Sequence, residues 1–164
     1  MTLWRENSIR TERMRRIVNR LFPAALVVGL DQGIKALVRA RFAHAGRVTL
    51  IPGALAIRYA ENRGAAFSFL QQRPGIIMAL TALLLILVGA WLFGRREKSR
   101  VTALGLSLVL GGGIGNLIDR ALFGFVTDYV EVLFVRFAIF NLADCAICVG
   151  ALLCAVRALK KEGP

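Results

Sequence analysis

The chain has 164 residues, 57% of them hydrophobic, a mean hydropathy of +0.62 and a formal net charge of +12. A soluble core of this length uses less apolar side chain, so the excess points to lipid. The basic residues flank hydrophobic stretches with no binding motif beside them, which argues against a nucleic-acid partner and for anchoring to anionic membrane lipid.

Residues 1–20 are Arg-rich and read as a frayed or interfacial cytoplasmic tail. Hydrocarbon about 30 Å thick needs roughly 20 apolar residues per helix, and the first such helix is expected over about 21–38, interrupted by Asp31 and Lys35. A cleavable signal peptide would need a small-residue cleavage site after the apolar stretch; instead Asp31-Gln32-Gly33-Ile34-Lys35 continues the helix, which therefore reads as retained. At i, i+4, Asp31 and Lys35 share a face and can neutralise one another, either as a structural ion pair or in support of a site.

Residues 48–70 change character. Val-Thr-Leu-Ile, Ala-Leu-Ala-Ile-Arg-Tyr and Ala-Phe-Ser-Phe-Leu are separated by Pro-Gly and Asn-Arg-Gly, a pattern of short strands and turns. A sheet this small needs support from the membrane surface or the helix ends, where it can cover a site. The second membrane helix, about 74–93, contains no charged residue. The third, about 101–120, closes on Gly111-Gly112-Gly113-Ile114-Gly115-Asn116-Leu117-Ile118-Asp119-Arg120, whose glycines allow close helix approach. Asn116 and Arg120 are expected to point the same way near the outer surface, and Asp119 elsewhere. The stretch lacks the strand and the Lys-Ser/Thr of a phosphate-binding loop.

Residues 121–138 are apolar around Asp128 and Glu131 and read as a loop lying in the membrane interface. A fourth helix is expected over about 137–156, carrying Asp144, with a cytoplasmic tail at 160–164. The whole is an integral membrane protein, mainly α: one domain, 21–159, a four-transmembrane-helix bundle with a small extracytoplasmic antiparallel β-sheet. Segments 1–20, 94–100 and 157–164 hold 13 Lys/Arg in 35 residues, against 8 in 54 for 39–73 and 120–138. Positively charged loops stay inside, so both termini are expected in the cytoplasm.

Cys145, Cys148 and Cys154 fall within the fourth helix with no other Cys or His near them, and read as packing residues; no metal and no cofactor are expected. The polar residues at membrane depth are more informative, because each carries a penalty of roughly 2.5–3.5 kcal/mol on insertion scales. Asn141 can cap the fourth helix with Asp144 in its first turn, where the helix dipole favours a carboxylate. That reading leaves Asp128 unexplained. If Asp128 and Asp144 lie together, they cannot both ionise easily and can share a proton around a water, one as base and one as acid, for hydrolysis of a peptide bond. Such chemistry needs no Ser, Cys or His nucleophile, and the one histidine, His44, lies in the outer loop.

Five segments in order carry a resemblance: Asp31-Gln32-Gly33-Ile34-Lys35; Asn62-Arg63-Gly64-Ala65-Ala66-Phe67; Gly111 to Arg120; Val126-Thr127-Asp128; and Phe140-Asn141-Leu142-Ala143-Asp144. Over about residues 20–157 the chain resembles the lipoprotein signal peptidases, or signal peptidases II. The resemblance implies an aspartyl endopeptidase of the bacterial inner membrane, with its site near the periplasmic face. Such an enzyme cleaves the signal peptide from diacylglyceryl-modified prolipoproteins on the N-terminal side of the lipidated cysteine. It implies Asp128 and Asp144 as the catalytic pair and Asn62, Gly64, Asn116, Arg120 and Asn141 as supporting or substrate-contacting residues, with Asp31 and Lys35 further away. It also implies a β cradle at 48–70, a mobile periplasmic helix near 60–75 and inhibition by the cyclic peptide globomycin. Gly113, where alanine is expected, and the long Arg-rich N-terminus depart from the family pattern without touching the aspartates. A transporter would place polar groups along the helices, unlike the wholly apolar 74–93; a non-enzymatic scaffold would tolerate loss of either aspartate.

Overall fold

The computed structural model describes residues 2–64, 74–94 and 99–161. The elements are α1 (Thr2–Phe42), β1 (Arg47–Ile51), β2 (Leu55–Asn62), α2 (Pro74–Phe93), α3 (Arg100–Phe123), β3 (Val126–Val132) and α4 (Leu142–Lys161). The four helices are each long and apolar enough to cross a membrane. The fold is thus a mainly helical multi-pass membrane protein with a small antiparallel sheet.

The first helix is longer than its apolar stretch. Residues expected as a frayed or interfacial tail are helical from Thr2, and Pro23 sits inside the same helix. Arg, Glu and Met are good helix formers, and nothing breaks the helix between the basic segment and the apolar one. At 1.5 Å per residue α1 is about 60 Å long, roughly twice the hydrocarbon thickness.

Helix α3 is the centre of the bundle, packed against α4, α1 and α2. Of its membrane-spanning window 56% is buried, against 11% for α2. Glycine makes this possible. A Cβ at Gly112 would run into the Ala143 carbonyl oxygen and come within 2.9 Å of Ile147, and one at Gly115 would lie 2.6 Å from the Asp31 carboxylate. The helices therefore touch through backbone, as small residues allow where lipid supplies no hydrophobic drive. The faces turned away carry Leu83, Leu84, Ile86, Leu87 and Leu152, all exposed to the bilayer.

The sheet has the order β1-β2-β3, every pair antiparallel. Its third strand comes from the segment expected to be an interfacial loop. Val126-Thr127-Asp128-Tyr129-Val130-Glu131-Val132 is rich in β-branched residues, and it is buried along most of its length because β2 covers one edge and Phe140 bridges to Val130 on the other. Asn62 pairs with Val126 and Ala60 with Asp128, so Asn62 is the same-face diagonal neighbour of Asp128. A register shift lies between Ile57 and Ala60, and such a bulge re-aims the strand beside a site.

Two boundaries differ from expectation for a common reason, capping. Helix α3 runs on to Phe123 and stops at Gly124, which adopts φ 78 and donates its N–H to the Arg120 carbonyl at 3.0 Å. Helix α4 starts at Leu142 instead of about 137, because Asn141 caps it while Phe140 is still bonded to β3. Of the helix expected near 60–75, residues 60–64 hold the end of β2 and a turn; residues 65–73, with Ala65, Ala66 and Phe67 of the second motif, lie outside the described residues.

The glycine contacts give a direct test. Gly112→Val should destabilise by about 1–3 kcal/mol through overpacking, lowering the thermal unfolding midpoint in detergent by roughly 5 °C. Gly89→Ala, where a Cβ meets nothing within 4 Å, should not lower the midpoint, since alanine is the better helix former.

Candidate active site

The site is assembled at the N-terminus of α4, whose first amides have no partner within the helix. Asn141 and Asp144 solve part of this reciprocally: the Asn141 side-chain oxygen accepts from the Asp144 N–H at 3.0 Å, and the Asp144 carboxylate accepts from the Asn141 N–H at 3.2 Å. This is a capping box. The Leu142 N–H goes to the Tyr129 hydroxyl at 3.2 Å and the Ala143 N–H to the Asp31 carboxylate at 3.1 Å. Burial pushes the Tyr129 phenol up to about 12, so it remains a neutral acceptor.

With its oxygen committed to the helix, the Asn141 amide nitrogen faces β3 and donates to Asp128 at 2.6 Å. One residue therefore binds both carboxylates, Asp128 through its side chain and Asp144 through its main chain. Each carboxylate has a second asparagine. Asn62 donates to the other Asp128 oxygen at 2.9 Å, and Asn116 donates to Asp144 at 2.8 Å.

Both of these amides are oriented by what holds their oxygens. The Asn62 oxygen accepts the Gly64 N–H at 2.9 Å across a tight turn. Gly64 has φ +100, and a Cβ there would lie 2.7 Å from the Ile77 side chain, so only glycine fits. The Asn116 oxygen accepts from the Lys35 ammonium at 2.8 Å. An ammonium can only donate, so the Asn116 NH2 must turn to Asp144.

Lys35 and Asp31 are fully buried and paired at 2.8 Å. They lie closer to the aspartates than expected, one asparagine away from Asp144. Asp119, expected to point elsewhere, is also fully buried: it lies 3.4 Å from Lys35 and accepts the Thr127 N–H at 2.8 Å. Three residues along a helix is only about 60° of rotation, so Asn116 and Asp119 project to neighbouring sides of α3. Arg39 closes the group, donating to the Thr127 hydroxyl at 2.9 Å, lying 3.6 Å from Asp119 and stacking 4.4 Å over the Phe123 ring. Gln32 ties Asp119 to the Gly115 carbonyl. Two acids and two bases thus balance below the site.

Asp128 is 2% exposed. Its carboxyl is pushed up to about 6, chiefly by burial; the Asn62 hydrogen bond opposes the shift, the charge of Asp144 adds to it, and Asn141 and Lys35 oppose it. The two aspartates are therefore electrostatically coupled. Arg120 is half-buried and its side chain makes no hydrogen bond or ion pair among the described residues, yet Asp144, Asp128 and Asp119 all lie within its electrostatic reach.

All nine residues singled out in the sequence meet at this end of the bundle. Gln32, Arg39, Asp119, Thr127 and Tyr129 were missed. The i, i+4 ladder 31-35-39 on α1 carried a signal for Arg39, and the i, i+3 spacing from Asn116 one for Asp119; nothing in the sequence marks the Tyr129 hydroxyl as a helix cap.

Residues 23–160 match the family model described as signal peptidase (SPase) II. The chain belongs to the signal peptidase II family. It is a peptidase, and residues from each of the five segments of the resemblance, Asn62 and Gly64 for the second, meet here. A lipoprotein signal peptidase of Streptococcus thermophilus is 40% identical over 142 residues, 85% of this chain and 93% of that one. One of Pseudoalteromonas translucida is 36% identical over 150 residues, 88% and 90% of the two chains. Two solved structures of bacterial membrane enzymes superpose with TM-scores of 0.81 and 0.80 at 27% and 28% identity, each covering 88% of this chain and 89% and 94% of their own.

Carbon-13 NMR of labelled aspartate should give Asp128 a protonation midpoint near 6. Asp144→Asn should lower that midpoint, because it removes a repelling negative charge, and Asn62→Ala should raise it, because it removes a donor to the charged form. Lys35→Met leaves Asp31 and Asp119 without their shared cation. It should destabilise the fold by about 3–5 kcal/mol, read as loss of the folded fraction in detergent.

Proposed function

We propose that the protein removes signal peptides from diacylglyceryl-modified prolipoproteins, cutting on the N-terminal side of the lipidated cysteine, with Asp128 and Asp144 as an aspartyl dyad. The observation that carries this reading is the bridging of the two carboxylates by Asn141, at 2.6 Å to Asp128 and 3.2 Å to Asp144. The curated relatives are named lipoprotein signal peptidases, which supports the substrate class.

Asp128, whose burial retains a proton up to about pH 6, starts as the acid. Asp144, in the first turn of α4 where the dipole favours a carboxylate, starts as the base. A water between them attacks the scissile carbonyl carbon, giving one proton to Asp144, while Asp128 protonates the carbonyl oxygen. In the tetrahedral gem-diol, Asp144 passes its proton to the leaving nitrogen, Asp128 recovers one from a hydroxyl, and the C–N bond breaks. Asn62, Asn116 and Asn141 hold the carboxylates without adding charge. Arg120 supplies donors for the substrate backbone, and Gly64 keeps the end of β2 close to the dyad.

The site lies at the end of the bundle shared by the sheet and the α4 N-terminus, so a lipid-anchored substrate reaches it from the bilayer surface. With both termini cytoplasmic, as the Lys/Arg distribution supports, that surface is the periplasmic face of the inner membrane. A globomycin-type cyclic peptide bound at the two aspartates would inhibit.

The test is cleavage of a purified diacylglyceryl-modified prolipoprotein, followed by gel shift, with the unlipidated precursor as control. Wild type should cleave only the lipidated form, and Asp128→Asn and Asp144→Asn, both verified as folded, should each lose roughly 10²–10⁴-fold in rate. Retained activity in either variant refutes the dyad; equal cleavage of both precursors refutes the substrate class.

A further inference from the structure

At the C-terminal end of β3, on the face opposite to Asp128 by strand alternation, Arg47, Glu131, Leu133, Val135, Arg136 and Phe137 line one open groove. Its charges do not balance. Glu131 takes two bonds of 2.7 Å from Arg47 and lies 3.4 Å from Arg58, so one carboxylate serves two guanidiniums. Arg136 adds a third positive charge and makes no hydrogen bond or ion pair among the described residues. The excess calls for an anion.

The surroundings of the groove decide which anion. Phe134 and Phe137 are 76% and 63% exposed, and Leu50 and Ile51 on β1 are 58% and 52% exposed. From Phe134 and Phe137 the chain runs within a few residues to Leu142, where α4 enters its membrane span. At roughly 3.3 Å per extended residue, Phe137 is held within about 17 Å of that point, a reach that includes the headgroup layer, where aromatic side chains concentrate. A water-soluble anion needs no such apolar neighbours, whereas a phospholipid presents a phosphate and acyl chains together.

We propose that this groove binds the headgroup of an anionic phospholipid of the adjacent leaflet, its phosphate on Arg47 and Arg136 and its chains against Phe134 and Phe137. The lipid seats the sheet on the membrane surface and so fixes the height of β3 above the bilayer. The proposal rests on the membrane fold and is independent of the peptide-bond chemistry.

The experiment is native mass spectrometry of the full chain in detergent, titrated with phosphatidylglycerol or with phosphatidylcholine of the same acyl chains. Wild type should prefer phosphatidylglycerol. Arg136→Gln should cut that preference about fivefold, the effect expected of one arginine at an anionic surface. Glu131→Gln should increase it by releasing Arg47 and Arg58, a gain that mere structural damage cannot produce. Equal binding of the two lipids overturns the proposal, as does a preference that neither substitution changes and that therefore belongs to the Arg-rich N-terminal helix. Competition by glycerol phosphate at the concentration of the lipid would also overturn it, marking a site for a soluble anion.

Discussion

The N-terminus of α4 is the constraint from which the site follows. A helix that begins at the edge of a bilayer exposes amides that water serves poorly, and each must find an acceptor within the protein. Here the acceptors come from three places: Asp31 on α1, Tyr129 on β3, and the Asn141–Asp144 box itself. Satisfying those amides draws a buried carboxylate, a strand and a helix start into one cluster. Once Asn141 has given its oxygen to the helix, its nitrogen has β3 to face, and Asp128 is there. The hydrogen bonds that cap the helix are thus the ones that hold the two carboxylates together.

The choice of asparagine around the carboxylates has a physical reason. A lysine or arginine in contact with Asp128 would hold it charged, and an apolar neighbour would leave its oxygens unpaired. An amide donates while adding no charge, so burial and the nearby Asp144 can raise Asp128 into a range where it exchanges protons at moderate pH. The full positive charges are kept one residue back, where Lys35 acts through Asn116 and is balanced by Asp31 and Asp119. Removing the cations from direct contact while retaining their orienting effect leaves Asp128 free to exchange its proton.

The rest of the fold places this cluster at the end of the bundle where the sheet meets α4. Glycines on α3 bring α4 into backbone contact and leave room for the Asp31 carboxylate beside Gly115. The sheet brings Asn62 beside Asp128 through a bulged β2–β3 register, and its outward face carries exposed apolar side chains that suit lipid more than water. A three-stranded sheet has little stability alone; its attachment to α4 through Phe140 and Tyr129 supplies the support.

The sequence by itself determined the membrane class, the four spans, which polar residues to look for together and the capping role of Asn141, because these rest on composition, on local spacing and on five segments whose order resembles one family. Length and hydropathy set the spans, and an Asn three residues before an Asp announces a capping box. Only the tertiary structure decided that 126–132 is a strand, since its burial depends on pairing with β2, more than 60 residues earlier in the chain. Likewise only packing turned Asp119 inward, carried the buried ion pair of α1 to within one amide of Asp144, and gave the Tyr129 hydroxyl to α4. Those are contacts between elements distant in the chain, and no local periodicity encodes them.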